Sequence, residues 1–180
     1  MRVITGSARG RNLAAPDGLH TRPTSDMTKG AVFSILQMSI ENSDFLDLFA
    51  GSGQMGVEAL SRGAKSAVFV DAREDACRLI RENLKRTKLE SQGKAVRSDY
   101  LDYLKRTKEK FDIILLDPPY AEVFLENALK CITEIDILQS GGIIVAERPV
   151  EKELPFEFEG YTRSRDYKYG KTLLTIYRKD

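Results

Sequence analysis

The chain alternates between short runs of mostly apolar residues and longer stretches in which apolar residues recur every three or four positions. The short runs are typical of buried strands, and the longer stretches are typical of amphipathic helices. Strands are predicted at 45–49, 66–71, 94–97, 111–117 and 141–147, with two further candidates at 156–165 and 171–177. Helices are predicted at 24–38, 53–63, 73–88, 100–105 and 122–135. This alternation predicts an α/β fold with a mostly parallel sheet that has helices on both faces.

The segment before the first predicted helix has a different character. A β-like run at 2–5 leads into GSARGR at 6–11, and this glycine-rich stretch is compatible with either a hairpin or an extended arm. The first helix should begin near Thr24 and Ser25, which are both good N-caps. Since no linker or internal repeat divides the sequence, we expect a single domain over 1–180, with an arm or hairpin at 1–23 and a core at 24–180.

Composition and charge narrow the class of protein. The 42% hydrophobic and 31% charged residues are typical of a soluble globular protein, and no membrane span or signal peptide is visible. Cys77 and Cys131 occupy apolar helix positions, as buried thiols of a cytoplasmic protein do, and no Cys/His cluster predicts a metal site. The net charge of +1 divides into +3 over 1–30, −6 over 31–162 and +4 over 163–180. Basic ends on an acidic body indicate a polyanionic partner.

A glycine turn after the first strand predicts a nucleotide-like cofactor. Gly51, Gly53 and Gly56 fit the G-x-G-x-x-G pattern, and Asp71 follows at the end of the next strand. In dinucleotide enzymes these glycines admit a pyrophosphate and the acid binds ribose hydroxyls. Asp47, four positions before the first glycine, would repel a pyrophosphate. The same acid suits S-adenosylmethionine, which carries a sulfonium and an ammonium but no phosphate, so we predict that cofactor.

The fourth strand ends in DPPY at 117–120, which predicts a site for a flat amine. The first and fourth strands should be neighbours where the winding of the sheet reverses, so Asp117 should lie beside the glycine turn. Its carboxylate and the carbonyl of Pro118 can accept both N–H bonds of an exocyclic amine, Pro119 stiffens the loop, and Tyr120 can stack on a planar base. Acceptors on both hydrogens hold the lone pair of the amine toward a methyl group. The two motifs together predict a methyltransferase.

Other functions share some of these features. Adenine-N6 methyltransferases and protein-glutamine methyltransferases also act on amines, and DPPY by itself does not separate them from a guanine enzyme. A nicotinamide-dependent oxidoreductase would explain the glycines, but Asp47 argues against it. A nucleic-acid-binding module with a vestigial cofactor site would explain the basic ends, but it would not need Asp47, Asp71 and Asp117 together.

Longer stretches of the sequence resemble a known family. The class I S-adenosylmethionine-dependent methyltransferases are resembled by two motifs, DLFAGSGQMGVEALSRGA at 47–64 and DPPY at 117–120. The resemblance is narrowed to the RsmD family by three further stretches, RVITGSARGRNL at 2–13, TRPTSDMTKGAVFSIL at 21–36 and LLTIYRK at 173–179. The similarity covers essentially all 180 residues. It implies a Rossmann-like fold with a seven-stranded sheet, and transfer of a methyl group to the N2 amine of one guanine in small-subunit (16S) ribosomal RNA. The partner would be that RNA or the assembling small subunit, bound by a monomer.

The site residues predicted from the motifs and from the resemblance fall into three groups. The predicted catalytic loop is Asp117, Pro118, Pro119 and Tyr120. The predicted cofactor contacts are Asp47, Phe49, Gly51, Ser52, Gly53, Asp71, Ala72, Asp99 and Tyr100, among which Asp99 is placed to bind the adenine amino group. The predicted RNA contacts are Arg9, Arg11, Arg22, Thr24 and Lys29. The TRPT segment is expected to lie over the site, and Met27 departs from the basic residue that the family usually has at that position.

Overall fold

A computed structural model of the chain describes residues 1–17, 24–119 and 122–180. Its helices are α1 Asp26–Ile35, α2 Gln54–Ser61, α3 Glu74–Thr87, α4 Tyr100–Arg106 and α5 Glu122–Ile135. Its strands are β1 Asp44–Asp47, β2 Ser66–Asp71, β3 Gly93–Arg97, β4 Phe111–Leu116, β5 Leu138–Pro149, β6 Glu157–Phe158, β7 Tyr161–Tyr169 and β8 Thr172–Lys179. Each helix and strand predicted from the apolar pattern therefore has its counterpart in the fold.

The strands form one sheet in the order β3-β2-β1-β4-β5-β8-β7-β6. The pairs from β3 to β5 are parallel, and β5, β8, β7 and β6 pair in antiparallel fashion. The predicted adjacency of the first and fourth strands is confirmed, because β1 lies between β2 and β4. The stretch predicted as one strand near 156–165 turns at Gly160 into the two strands β6 and β7. This gives an eighth strand of only two residues at the edge of the sheet.

Alternate positions of each strand bury their side chains on opposite faces of the sheet. On one face, side chains such as Phe45 and Phe69 pack against α1, α2 and α3. On the other face, side chains such as Leu46 pack against α4 and α5. The predicted α/β fold with helices on both faces is therefore confirmed. The first helix, predicted at 24–38, is shorter than expected, because α1 ends at Ile35 and Met38 beyond it is 94% exposed.

The N-terminal segment is a hairpin rather than an extended arm. Arg2 and Asn12 form an antiparallel bridge, and the amide of Val3 donates to the carbonyl of Arg11 at 3.0 Å. The hairpin is fastened to α2 by the fully buried Glu58, whose two carboxylate oxygens accept from the amides of Ile4 and Thr5 at 2.9 and 3.0 Å. The buried acid therefore satisfies two backbone donors that have no strand partner.

The predicted RNA contact of Lys29 is wrong, because the structure buries this residue completely. Its Nζ donates to the carbonyl of Arg2 at 2.7 Å and lies 3.8 Å from the Glu58 carboxylate. Burial lowers the pKa of Lys29, and the negative charge of Glu58 opposes that effect. Lys29 therefore holds the hairpin against α1 and α2, where no phosphate can reach it.

Over 1–17, 24–119 and 122–180, no helix is both long enough and apolar enough to cross a bilayer. The same residues contain no group of three or more histidine, cysteine or acidic side chains arranged to hold a metal ion.

Candidate active site

Four acidic residues lie where adjacent parallel strands end, on the face of the sheet that α1, α2 and α3 cover. In sheet order they are Asp71, Asp47, Asp117 and Glu147. The strand register pairs Leu115 with both Asp47 and Val145, so Asp117 is level with Glu147 while Asp47 lies two residues deeper. The sheet thus brings together three acids that the sequence analysis identified and one that it did not.

Asp47 is the most deeply placed of the four and is only 2% exposed. Burial, followed by the neighbouring charge of Asp117, raises the pKa of Asp47 from 3.8 to about 7. A hydrogen bond from the amide of Gly56, at 3.3 Å from Oδ2, opposes this rise and Asp71 adds slightly to it. A cation placed beside this carboxyl would favour its charged form.

The glycine turn has the geometry that its spacing predicts. Gly53 has a left-handed backbone with a φ of 77° and is the N-cap of α2. A Cβ at Gly56 would lie 2.3 Å from the ring of Phe69, so helix and strand can pack here only because this residue has no side chain. A Cβ at Gly51 would meet no atom within 4 Å. The turn therefore presents open backbone beside Asp47, where a cofactor could approach.

The turn is held in place by two side chains. The amide of Gly51 donates to Oδ2 of Asp71 at 2.9 Å, which ties the turn to the end of β2. Asn83 of α3 donates to the carbonyl of Ser52 at 2.9 Å and also bonds both backbone groups of Ala14. Asn83 was not identified from the sequence, since a buried asparagine in a charged helix gives no signal until its partners are known.

The acids that were predicted to bind ribose and adenine also have local partners. Oδ1 of Asp71 accepts from the amide of Arg73 at 3.0 Å, and Ala72 between them is exposed. Asp99 is exposed and caps α4, since its Oδ1 accepts from the amides of Leu101 and Asp102 at 2.9 and 3.2 Å. Each carboxylate has further acceptor capacity, so a contact with the cofactor stays a prediction for both.

Phe49 and Tyr100 lie on the other side of the sheet from the four acids. Their ring centroids are 5.1 Å apart, and Phe124 of α5 completes the cluster at 6.2 Å from Phe49 and 5.3 Å from Tyr100. Tyr100 is 8% exposed and burial raises its pKa. These contacts give both residues a packing role at the edge of the site, and their predicted contact with the cofactor stays untested. Phe124 was not identified from the sequence.

The segment that leads into α1 contacts the candidate catalytic loop. The hydroxyl of Thr24 donates to Oδ2 of Asp117 at 3.4 Å, and the side-chain amide of Gln54 donates to the carbonyl of Thr24 at the same distance. Burial raises the pKa of Asp117, and the hydrogen bond from Thr24 opposes the rise. Pro118 is half-buried and Pro119 is exposed. Thr24, predicted to contact RNA, therefore lies directly against the proposed catalytic acid.

Some predicted residues lie outside the site or outside the described residues. Arg9 and Arg11 are exposed on the hairpin, and Nη1 of Arg11 donates to the carbonyl of Arg86 at 2.9 Å. Tyr120 and Arg22 lie outside the residues that the structure describes. The structure therefore places two of the predicted RNA-binding arginines at the surface and leaves their contacts as predictions.

Glu147 is the acid that the motif analysis missed. It is half-buried two residues before the end of β5, and burial together with the charge of Asp117 raises its pKa. The sequence did contain a signal, because GGIIVAE ends in an acid at the carboxyl end of an apolar strand, as the earlier strands do. The rule that parallel strands deliver their carboxyl ends to one crevice applies to this residue as much as to Asp117.

Comparisons with known proteins agree with this geometry. Residues 1–178 match the family model described as "Conserved hypothetical protein 95". The chain is 40% identical to "Putative rRNA methyltransferase YlbH" of Bacillus subtilis (strain 168), over 99% of both chains. It is 35% identical to "Ribosomal RNA small subunit methyltransferase D" of Haemophilus influenzae, over 86% of this chain and 81% of that protein. The solved structure "Putative methyltransferase yhhF from Escherichia coli" matches with a TM-score of 0.91 and 28% identity, over 100% of this chain and 98% of the other.

Proposed function

The chain belongs to the RsmD family, described by its model as conserved hypothetical protein 95, and from this membership we propose that it transfers a methyl group from S-adenosylmethionine to the N2 amine of a guanine in small-subunit ribosomal RNA. The observation that carries the proposal is the position of Asp117, next to Asp47 at the crevice between β4 and β1. One acid can bind a cationic methyl donor and the other can bind the amine that receives the methyl group.

The residues around the glycine turn fit S-adenosylmethionine. When bound, this cofactor supplies an electrophilic methyl group on a sulfonium. Asp47 provides a buried carboxyl beside the turn, suited to the cationic end of the molecule, and Gly51 leaves open space for its approach. Asp71 and Asp99 keep acceptor capacity for ribose hydroxyls and the adenine amine. A pyrophosphate would instead place negative charge against Asp47, the most deeply placed of the four acids.

The proposed catalytic loop binds and orients the amine without covalent chemistry. Asp117 would accept one N–H bond of the guanine amine and the carbonyl of Pro118 the other. Acceptance of both bonds directs the nitrogen lone pair away from the loop and toward the methyl group. Asp117 does not need to take a proton during transfer, because the methylated amine is acidic enough to lose its extra proton afterwards.

The choice of a ribosomal RNA guanine rests on the family and on charge. The curated relatives are named as ribosomal RNA methyltransferases, and the hairpin carries the exposed arginines Arg9 and Arg11. A target amine inside an RNA helix is accessible only if the base is flipped out of the stack. We therefore place the flipped guanine against Asp117 and more distant phosphates of the same RNA against the hairpin.

The proposed function is tested by nucleoside mass spectrometry of small-subunit ribosomal RNA from cells with and without this protein. We expect N2-methylguanosine to be lost from one position in the deletion strain and to return with the wild-type gene. The same purified protein should restore the mark in vitro on naked RNA or on small subunits from that strain, which also identifies the better substrate. An unchanged N2-methylguanosine content with a loss of N6-methyladenosine, or of methylated protein glutamine, would contradict the guanine assignment.

Removal of charge from the hairpin should weaken RNA binding. The double variant Arg9→Ala/Arg11→Ala is expected to bind the substrate RNA about tenfold more weakly near physiological salt. The slope of the logarithm of the binding constant against the logarithm of the salt concentration should fall in magnitude by about one to two units, because about one counterion is released per phosphate contact. Filter binding over a salt series measures both quantities. The matched control is Lys105→Ala/Lys130→Ala, which removes the same charge from exposed positions of α4 and α5 on the other face. Equal salt-dependence slopes for both double variants would show that Arg9 and Arg11 are ordinary surface residues without phosphate contacts.

A further inference from the structure

Glu147 lies in the site, but the proposed methyl transfer assigns it no role. The register Leu116↔Ala146 makes Asp117 and Glu147 the next pair across β4 and β5. The two acids follow Leu115 and Val145 by two residues, so they lie on the same face of the sheet. The electrostatic influence of Asp117 on Glu147 agrees with this closeness. Glu147 is therefore beside the proposed amine site, on the side away from Asp47.

Among the residues that the structure describes, no contact explains why an acid is buried at this position. Within the described parts of the chain, its carboxylate forms no hydrogen bond and no ion pair, whereas its neighbour Arg148 is bound by Thr175 and Asp166. The side chain is half-buried, yet its oxygens are not sealed from solvent, since the only fully enclosed side-chain oxygen without a partner in these parts is Oδ1 of Asp166. A carboxylate that is partly desolvated beside another acid loses free energy unless a donor reaches it. That donor can come from a ligand.

The chemistry of guanine supplies a matching donor. Its N2 amine is flanked by N1–H, so the edge of the base presents three N–H bonds on two neighbouring nitrogens. We propose that Glu147 accepts the N1–H of the target guanine while Asp117 and the Pro118 carbonyl accept the amine hydrogens. This proposal rests on the proposed function. The two acids then read two adjacent nitrogens. A base whose N1 is an acceptor, as in adenine or 2-aminopurine, would place a lone pair against the Glu147 carboxylate, so Glu147 is a specificity-determining residue.

The test compares two bases that share the amine and differ at N1. Small-subunit RNA assembled by ligation carries either guanine or 2-aminopurine at the position that the wild-type protein modifies, and initial rates of methyl transfer are measured on both. Wild type should prefer guanine. Glu147→Gln is nearly isosteric, and its amide can donate to the unprotonated N1 of 2-aminopurine. We expect this variant to lower the ratio of guanine to 2-aminopurine rates by about ten- to a hundredfold, the range that one charged hydrogen bond supplies.

Controls separate specificity from damage to the fold or to cofactor binding. Glu151→Gln makes the same substitution at an exposed position just beyond β5 and should keep the wild-type ratio. Binding of S-adenosylhomocysteine to Glu147→Gln, measured by calorimetry, should stay within about twofold of wild type. A drop in both rates by the same factor, or no change in either, would overturn the role of Glu147 while the proposed function stands. Wild-type protein that methylates neither base would instead contradict the proposed function itself.

Discussion

Asp117→Ala is expected to lower the rate of methyl transfer to ribosomal RNA by about a hundred- to a thousandfold, which is the usual effect of removing one positioned electrostatic group from an active site. The carboxylate follows the last residue of β4 and lies beside Asp47, where it would accept one hydrogen of the target amine. Single-turnover transfer of a radiolabelled methyl group to unmodified small-subunit RNA measures the effect without interference from product release.

Two further measurements show whether the loss comes from the proposed contact. The affinity of Asp117→Ala for S-adenosylhomocysteine should stay within a few-fold of wild type, because the glycine turn and Asp71 are held by other residues. Asp117→Asn keeps one acceptor oxygen and should have an intermediate rate. A turnover rate of the alanine variant close to that of wild type would show that Asp117 has no role in methyl transfer. DPPY would then be only a rigid turn after a buried strand.

Asp47→Asn is expected to have the second largest effect, at least about tenfold weaker binding of S-adenosylmethionine, because a charge-assisted contact becomes a neutral one. The same substitution should change the pH dependence of stability in the cofactor-free protein. The folded pKa of Asp47 lies above its unfolded value, at about 7 against 3.8, so the folded state holds more protons between these values. The contribution of Asp47 therefore lowers the free energy of unfolding of wild type as pH rises from about 4 to 7. Above about pH 7 this contribution no longer changes with pH.

The measurement combines thermal unfolding and calorimetry at pH 5.5 and pH 8. Without cofactor, Asp47→Asn should exceed wild type in stability at pH 8, and the difference should shrink at pH 5.5. Asp75→Asn, which changes an acid with a 70% exposed side chain on α3, is the matched control and should follow wild type in both experiments. Tight binding of a nicotinamide dinucleotide, together with indifference to S-adenosylhomocysteine, would contradict the role given to Asp47 and favour an oxidoreductase.

The parts of the site that could be predicted from the sequence are those fixed by local pattern and by sheet topology. Apolar strand runs placed Asp47, Asp71 and Asp117 at strand ends, and the reversal of winding between β1 and β4 brought them to one crevice. Glycine spacing gave the turn correctly, because a left-handed φ and a close approach to Phe69 each require a residue without a side chain. Glu147 obeyed the same topological rule and was missed only because no familiar motif surrounds it.

The remaining features depend on partners that are distant in sequence. Lys29 looks like a surface cation until its neighbour Glu58 is placed beside it by the packing of α1 on α2. The choice between hairpin and extended arm was likewise decided by Glu58, which accepts from the amides of Ile4 and Thr5. Asp99 shows a third limit, since an aspartate before a helix caps it whether or not it also binds a ligand.

The attachment of the hairpin has a consequence for how the chain matures during synthesis. The first residues leave the ribosome early, yet their anchors Glu58, Ser61 and Asn83 come from helices that are translated later. At about 5–20 residues per second the N-terminal segment waits several seconds for those partners. A nascent chain stopped before α3 has emerged should therefore expose its first 17 residues to protease, and a longer nascent chain should protect them.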